Sequence, residues 1–260
     1  SVYCACLAAA SSGLYCKRER EREVCRGRTR HGMRGRRYSS AMEENIFLFI
    51  PNIIGYARVV LALVSFYFMP THLWLAGSTY LLSGFLDAFD GWAARKFHQG
   101  TMFGAVLDMV TDRVATTCLI VVLGHFYPAY LFLFQFLIAL DISSHWVQMY
   151  SSLQLGDSSH KVTDLSANPV MRFYYMRPVL FTFCAANELF FCSLYVLYFT
   201  PGFSIPLFGA EVGIWTLLAR VCFPISFLKQ CVSIVQLVVA CQNLGGMDAA
   251  ERARKPTDSR

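Results

Sequence analysis

Six long apolar segments follow one another along the chain, separated by links of 3 to 23 residues. They cover residues 52–69, 73–94, 101–124, 128–150, 174–199 and 212–243. Each is close to the ~20 residues that an α-helix needs to cross the hydrocarbon core of a bilayer. We therefore predict an all-α, polytopic integral membrane protein with six transmembrane helices.

The composition agrees with an integral membrane protein. Of the 260 residues, 55% are hydrophobic and only 15% are charged, and the mean hydropathy is +0.43. A soluble globular domain typically has about 25% charged residues. The low charge and the positive hydropathy therefore exclude an ordinary soluble domain.

Residues 1–41 differ from the rest of the chain. They contain ten Lys or Arg against three Glu, so they account for the whole formal net charge of +6. Their Arg, Gly and Ser content offers no face on which a core could form. We expect a disordered or non-native basic extension here, without a nucleic-acid partner, followed by a six-helix transmembrane domain over 42–245 and a charged tail over 246–260.

The distribution of basic residues between the segments predicts the orientation in the membrane. The links after the first, third and fifth segments contain no Lys or Arg, whereas the opposite links and the C-terminal tail contain Arg95, Lys96, Lys161, Arg172, Arg252, Arg254, Lys255 and Arg260. Basic loops of membrane proteins face the cytoplasm. Both termini and the basic links are therefore predicted to be cytoplasmic.

Four aspartates interrupt the second and third apolar segments. Asp87 and Asp90 are three residues apart and share one face of a helix, and Asp108 and Asp112, four residues apart, do the same. An unpaired Asp at the bilayer centre costs about 2.5–3.5 kcal/mol. We therefore predict facing carboxylate pairs at an active-site cavity that opens to the cytoplasm.

The chemistry of these carboxylates favours a metal site. Hard oxygen ligands without His or Cys at matching spacing are typical of Mg²⁺ or Mn²⁺. Two such ions would balance four negative charges and can clamp a diphosphate. The alternative is ion pairing with Arg95 and Arg113, although two arginines cannot neutralise four carboxylates. Arg58 has two interpretations, as an interfacial anchor or as a contact to a substrate diphosphate.

Residues 87–112 have the pattern D-x2-D-G-x2-A-R-x8-G-x3-D-x3-D. This spacing resembles the signature of the CDP-alcohol phosphatidyltransferases at every fixed position. Stretches such as ENIFLFIPNIIGYAR, SHKVTDLSANPV and ANELF extend the resemblance over nearly everything from Met42 onward, to the members of that family that use inositol. It implies transfer of the phosphatidyl group of CDP-diacylglycerol to myo-inositol, with release of CMP, at the cytoplasmic face of the endoplasmic reticulum membrane.

The resemblance also implies roles for individual positions. Asp87, Asp90 and Asp108 would hold the metals, and Asp112 would be the catalytic base and a further metal contact. The site for CDP-diacylglycerol would be formed by Gly91, Ala94, Arg95, Thr101 and Gly104.

The acceptor pocket has a weaker set of candidates, which are polar residues on the predicted catalytic side: His145, Asn168, Arg172 and Arg177. A ring of hydroxyls needs several donors and acceptors. Hydrogen bonds between helices or anchoring to lipid phosphates explain the same residues equally well. Glu188, within the fifth segment, has no assigned role.

Two other functions stay open on the sequence alone. The aspartate spacing does not name the acceptor, so a sister transferase that uses glycerol phosphate, serine or another alcohol is one alternative. Intramembrane carboxylates also occur in ion-coupled transporters, which is the other. The assembly is open too, with a homodimer among the options.

Overall fold

The computed structural model describes residues 45–157, 169–207 and 210–254. Each of the six apolar segments contains a long helix. The helices, with one short helix between the fourth and the last two, are α1 (Ile50–Phe68), α2 (Leu73–Lys96), α3 (Met102–Phe126), α4 (Leu131–Asp157), α5 (Pro169–Tyr174), α6 (Arg177–Phe199) and α7 (Ile214–Arg254). The predicted extension over 1–41 lies outside the described residues.

Local sequence explains where several helices begin. Pro51 lies in the first turn of α1 and Pro178 in the first turn of α6, positions where proline costs no intrahelical hydrogen bond. Thr101 caps α3, because its hydroxyl accepts a hydrogen bond from the backbone nitrogen of Gly104 at 2.9 Å. This cap fixes the start of the second aspartate-bearing helix.

An apolar core fills one end of the bundle, where α1, α3 and α6 end and α2 begins. Its buried members are Met69, Ala76, Leu119, Ile120, Leu123, Phe126, Phe134, Phe191 and Tyr195. The Tyr195 hydroxyl donates a hydrogen bond to the backbone oxygen of Met69 at 2.9 Å, which ties the end of α6 to the end of α1. The aspartates lie toward the opposite end, so the bundle has a packed apolar end and a polar end.

A short antiparallel hairpin precedes α7. Strand β1 (Ser204–Leu207) pairs with β2 (Ala210–Gly213), with Ser204 opposite Gly213. Gly202 has φ of +75°, a left-handed conformation that favours glycine. The sequence predicted only a link between two apolar segments here, because strands of four residues are too short to give a clear periodic signal.

Four helical stretches are long and apolar enough to cross a membrane: Ile50–Phe68, Pro128–Gln154, Arg177–Phe199 and Ile214–Ala253. The aspartate-bearing helices α2 and α3 are not among them. Large apolar side chains lie on the outside of the bundle, such as Trp74 and Phe132, which are 85% and 81% exposed and suited to contact with lipid. The described residues thus form an all-α membrane bundle, whereas the count of six spans and the cytoplasmic opening stay predictions.

Candidate active site

Within the described part of the chain, one arginine forms ion pairs with all four aspartates. Arg58 of α1 is only 2% exposed. Its Nη2 lies 2.8 Å from Asp87 Oδ1 and 2.7 Å from Asp112 Oδ1. Its Nη1 lies 2.5 Å from Asp90 Oδ2 and 2.7 Å from Asp108 Oδ1. Three helices therefore converge on one buried charged centre.

Close packing of α1 against its neighbours brings the arginine to this depth. The Ser83 hydroxyl of α2 donates a hydrogen bond to the backbone oxygen of Arg58 at 3.0 Å. On the other side, a Cβ at Gly55 would lie 2.7 Å from the Leu107 side chain of α3. The missing side chain at Gly55 allows α1 and α3 to approach closely.

The structure corrects two interpretations of the sequence. Arg58 is not an interfacial anchor, because its guanidinium is buried and paired with the aspartates. The partner of the four carboxylates is this arginine rather than Arg95 and Arg113. Arg113 hydrogen bonds with Asp141 of α4 at 3.1 Å, and Arg95 is exposed. The sequence could not identify Arg58 as the partner, because residue spacing along one helix does not reveal which other helix packs against its polar face.

The charge balance leaves room for metal ions. If all four carboxylates are ionised, one guanidinium leaves a formal charge of −3 in a buried site. Asp87, Asp90 and Asp108 each offer an oxygen, and these oxygens lie within 4.8 Å of one another. A cluster of carboxylate oxygens is the donor set that Mg²⁺ or Mn²⁺ prefers. The residues therefore fit a divalent cation.

Two of the four aspartates have a buried oxygen without a hydrogen-bond partner among the described residues: Asp87 Oδ1, which lies 2.8 Å from Arg58 Nη2 as an ion pair, and an oxygen of Asp112. Asp112 Oδ1 accepts a hydrogen bond from Arg58 at 2.7 Å. Its Oδ2 is buried and has no hydrogen-bond partner within the described part of the chain. A buried acceptor without a partner is costly, so such an oxygen marks a place where another molecule is expected to donate.

The residues predicted for CDP-diacylglycerol lie at the end of α2 and at the beginning of α3. Ala94 is half-buried, and the exposed Arg95 lies beside Gly91, with its Nη1 3.4 Å from where a Cβ would be. Thr101 caps α3, and a Cβ at Gly104 would lie 2.6 Å from Asn52 Oδ1. Thr101 and Gly104 therefore have structural roles as well, and the lipid contacts stay a prediction.

The structure does not group the acceptor candidates around the aspartates. His145 Nδ1 lies 2.8 Å from the backbone oxygen of Asp141, within its own helix. Arg172 and Arg177 are exposed, on α5 and at the start of α6. Asn168 lies outside the described residues. These roles stay predictions.

Polar residues that the sequence left unassigned are instead found beside the aspartates, around a cavity of about 210 Å³. Glu188 of α6 accepts hydrogen bonds from Tyr80 of α2 and, at 3.2 Å, from Thr116 of α3. Lys229 of α7 lies 3.4 Å from Asp141. The sequence marks Glu188 and Lys229 only as charged residues that lie inside apolar segments.

The fold and the aspartate centre agree with the comparisons to known proteins. The chain belongs to the CDP-alcohol phosphatidyltransferase family, whose model matches residues 48–225. This range includes Arg58 and all four aspartates. Membership removes the basis for the transporter alternative, which rested only on intramembrane carboxylates.

Curated relatives carry a more specific name. The CDP-diacylglycerol--inositol 3-phosphatidyltransferase of Rattus norvegicus is 55% identical over 214 residues, which cover 82% of this chain and 99% of the rat protein. The Homo sapiens protein of the same name is 53% identical over 214 residues, which cover 82% of this chain and 99% of the human protein. That of Schizosaccharomyces pombe is 49% identical over 223 residues, 81% of this chain and 94% of the yeast protein. No solved structure matches the chain.

Proposed function

We propose that the protein transfers the phosphatidyl group of CDP-diacylglycerol to a hydroxyl of myo-inositol, giving phosphatidylinositol and CMP. The observation that carries the proposal is the convergence of four aspartates on one buried centre, in a chain of this family. The names of the curated relatives support inositol as the acceptor.

The transfer exchanges one phosphorus–oxygen bond for another. The inositol oxygen forms a bond to the phosphorus that carries the diacylglycerol. The bond from that phosphorus to the bridging oxygen breaks, and its electron pair leaves with CMP. An alcohol is a weak nucleophile near neutral pH, so its proton must be removed as the new bond forms. The unpartnered Oδ2 of Asp112 is the acceptor that we assign to this proton.

Asp87, Asp90 and Asp108 would hold two ions of Mg²⁺ or Mn²⁺, with Asp112 as a further contact. The closeness of three of these carboxylates and the surplus negative charge support this assignment. Bound divalent ions supply charge stabilisation for the diphosphate and for the leaving CMP.

The diphosphate end of the lipid substrate would lie against the ends of α2 and α3. Arg95 is exposed there and can direct two parallel N–H donors at phosphate oxygens. Gly91 and Ala94 present little or no side chain, which leaves room for the nucleotide. Thr101 and Gly104, at the start of α3, complete this proposed site, although the space beside Gly104 is taken by Asn52.

The membrane location and orientation of the protein are also part of the proposal. We infer a multi-pass membrane protein with both termini and the site on the cytoplasmic side, because the basic links lie on that side. The resemblance to the inositol-using members of the family is the basis for proposing the endoplasmic reticulum membrane. The homodimer stays a prediction.

Incubation of the purified protein in nanodiscs with CDP-diacylglycerol and isotope-labelled inositol tests the proposal. The label is expected in a lipid product, with one CMP released for each labelled lipid, and both rates should fall by roughly 10²–10⁴ with Asp112→Asn. Release of CMP without labelled lipid would show that water or another alcohol is the acceptor and would refute the proposal.

A further inference from the structure

The cavity of about 210 Å³ is continuous with the aspartate centre. Asp87, Asp112 and Arg58 form one side of it. The rest of its polar lining comes from α2, α3, α6 and α7 and includes Tyr80, Arg113, Thr116, Asn187, Glu188 and Lys229. A molecule in this cavity would therefore lie next to the carboxylate that we assign as the base.

The size and the lining of the cavity restrict its occupant. Pockets for drug-sized ligands usually measure about 300–1,000 Å³. A cavity of about 210 Å³ suits a smaller molecule than a cytidine nucleotide. Most of the residues that line it carry a polar or charged group, and an acyl chain in the cavity would leave those groups without hydrogen-bond partners. A compact, hydroxyl-rich molecule matches both properties.

Glu188 can accept hydrogen bonds from a molecule bound in this cavity. It lies in the middle of α6, where a carboxylate inside a membrane helix is costly and usually functional. The Tyr80 hydroxyl donates to its Oε1 and the Thr116 hydroxyl donates to its Oε2, so its position is fixed from two other helices. A carboxylate oxygen can accept more than one hydrogen bond, so Glu188 can also accept from the hydroxyls of a bound molecule.

The cations near the cavity are already paired. Arg113 Nη1 and Lys229 Nζ lie 3.1 Å and 3.4 Å from the same oxygen of Asp141. The two cations therefore face one carboxylate, and Glu188 adds a second negative charge nearby. This balance favours an uncharged polyol over an acceptor that carries its own phosphate, since a phosphate would need surplus positive charge.

We propose that this cavity is the pocket for the acceptor alcohol and that Glu188 determines its specificity for an uncharged polyol. The inference rests on the proposed function, because it assigns the acceptor of that reaction to a place in the structure. In this proposal the residues of the cavity, rather than the exposed Arg172 and Arg177, contact the acceptor alcohol. Asp112 then lies between the acceptor pocket and the diphosphate of the lipid.

Steady-state kinetics of the purified full-length protein in nanodiscs test this assignment. With CDP-diacylglycerol saturating, Glu188→Gln is expected to raise the KM for inositol by about tenfold to hundredfold, the usual effect of losing a hydrogen bond to a charged group. Its kcat and its KM for CDP-diacylglycerol should change by less than about threefold. The matched control is Glu211→Gln, since Glu211 is exposed on β2.

A second pair of variants tests the cavity itself. A Cβ at Gly84, which lines the cavity, would have no heavy atom within 4 Å, and the same is true at Gly77 on the same helix but away from it. Gly84→Leu should fill part of the cavity and raise the KM for inositol, whereas Gly77→Leu should not. The pair keeps the test valid if Glu188→Gln does not fold.

The outcomes separate the two proposals. If the wild-type protein makes no phosphatidylinositol, the proposed function fails and the pocket assignment fails with it. If the wild-type protein is active but Glu188→Gln lowers kcat or thermal stability without raising the KM for inositol, Glu188 is only a structural brace between α2, α3 and α6. An unchanged KM for inositol in both Glu188→Gln and Gly84→Leu would overturn the pocket while leaving the function intact.

Discussion

The Nη2 atom of Arg58 lies 2.7 Å from Asp112 Oδ1, although the two residues are 54 positions apart in the sequence. This contact makes α1 part of the site. It also occupies one oxygen of Asp112 and leaves Oδ2 for a substrate proton. The same guanidinium contacts the other three aspartates, so it is a counter-charge shared by all four carboxylates.

Replacing Arg58 should therefore destabilise the metal-free protein. Removing one partner of a buried ion pair costs about 3–5 kcal/mol, because the remaining charges are left without compensation. We expect Arg58→Met to lower the melting temperature in EDTA, and Mn²⁺ to restore part of the loss by binding the folded state. Thermal unfolding in nanodiscs with and without Mn²⁺ measures both effects.

The control for this prediction is Arg220→Met, which removes an exposed arginine from α7. It should leave the melting temperature nearly unchanged. Equal losses for the two variants would contradict a special role of Arg58 at the aspartate centre.

The four aspartates should separate into two classes when each is changed to Asn. Asp112→Asn keeps an oxygen at nearly the same place but cannot accept the inositol proton. Its kcat should fall by roughly 10²–10⁴, the range typical of losing a general base, with little change in binding of CDP-diacylglycerol. Asp90→Asn removes negative charge that holds a divalent ion, so excess Mn²⁺ should restore part of its turnover.

Titration of metal for both variants distinguishes the two classes, with CDP-diacylglycerol binding and CMP release measured separately. If Asp112→Asn also recovers with metal and loses affinity for the lipid, Asp112 is chiefly a ligand. His145, which lies against Asp141, would then be the next candidate for the base.

Turnover should depend on a divalent cation. Four carboxylates against one guanidinium carry excess negative charge, and a diphosphate substrate adds more. We expect EDTA to abolish CMP release, and Mg²⁺ or Mn²⁺ to restore it. Ca²⁺ is the control, since its metal–oxygen distances are longer and its coordination geometry is more variable than those of Mg²⁺. We expect Ca²⁺ to support turnover less well. Full turnover in excess EDTA would show that Arg58 alone provides the counter-charge.

Gly104 is expected to be sensitive to a single methyl group. A Cβ there would lie 2.6 Å from Asn52 Oδ1, and Asn52 is buried and hydrogen bonded to Ile46. Gly104→Ala should push α1 and α3 apart and lower the free energy of unfolding by about 1–3 kcal/mol. Gly100→Ala is the control, because a Cβ at Gly100 meets no atom within 4 Å. Thermal unfolding of the two variants without substrate measures the difference.

Much of the helical framework could be predicted, because apolar segments of about 20 residues and i, i+3, i+4 spacing are local properties. The same spacing placed each aspartate pair on one face of its helix. The partner of those pairs could not be predicted in this way. Arg58 reaches them, and Tyr80 reaches Glu188 across 108 positions, only through helix crossings that local periodicity does not encode.

A competition between acceptor alcohols tests the central claim most directly. The purified protein in nanodiscs, supplied with CDP-diacylglycerol and Mn²⁺, is given equal concentrations of inositol, glycerol phosphate, serine and ethanolamine, and the lipid products are identified by mass spectrometry. We predict phosphatidylinositol as the dominant product, with its formation lost in Asp112→Asn. A different phospholipid as the main product, or phosphatidylinositol that still forms at the wild-type rate in Asp112→Asn, would contradict this account.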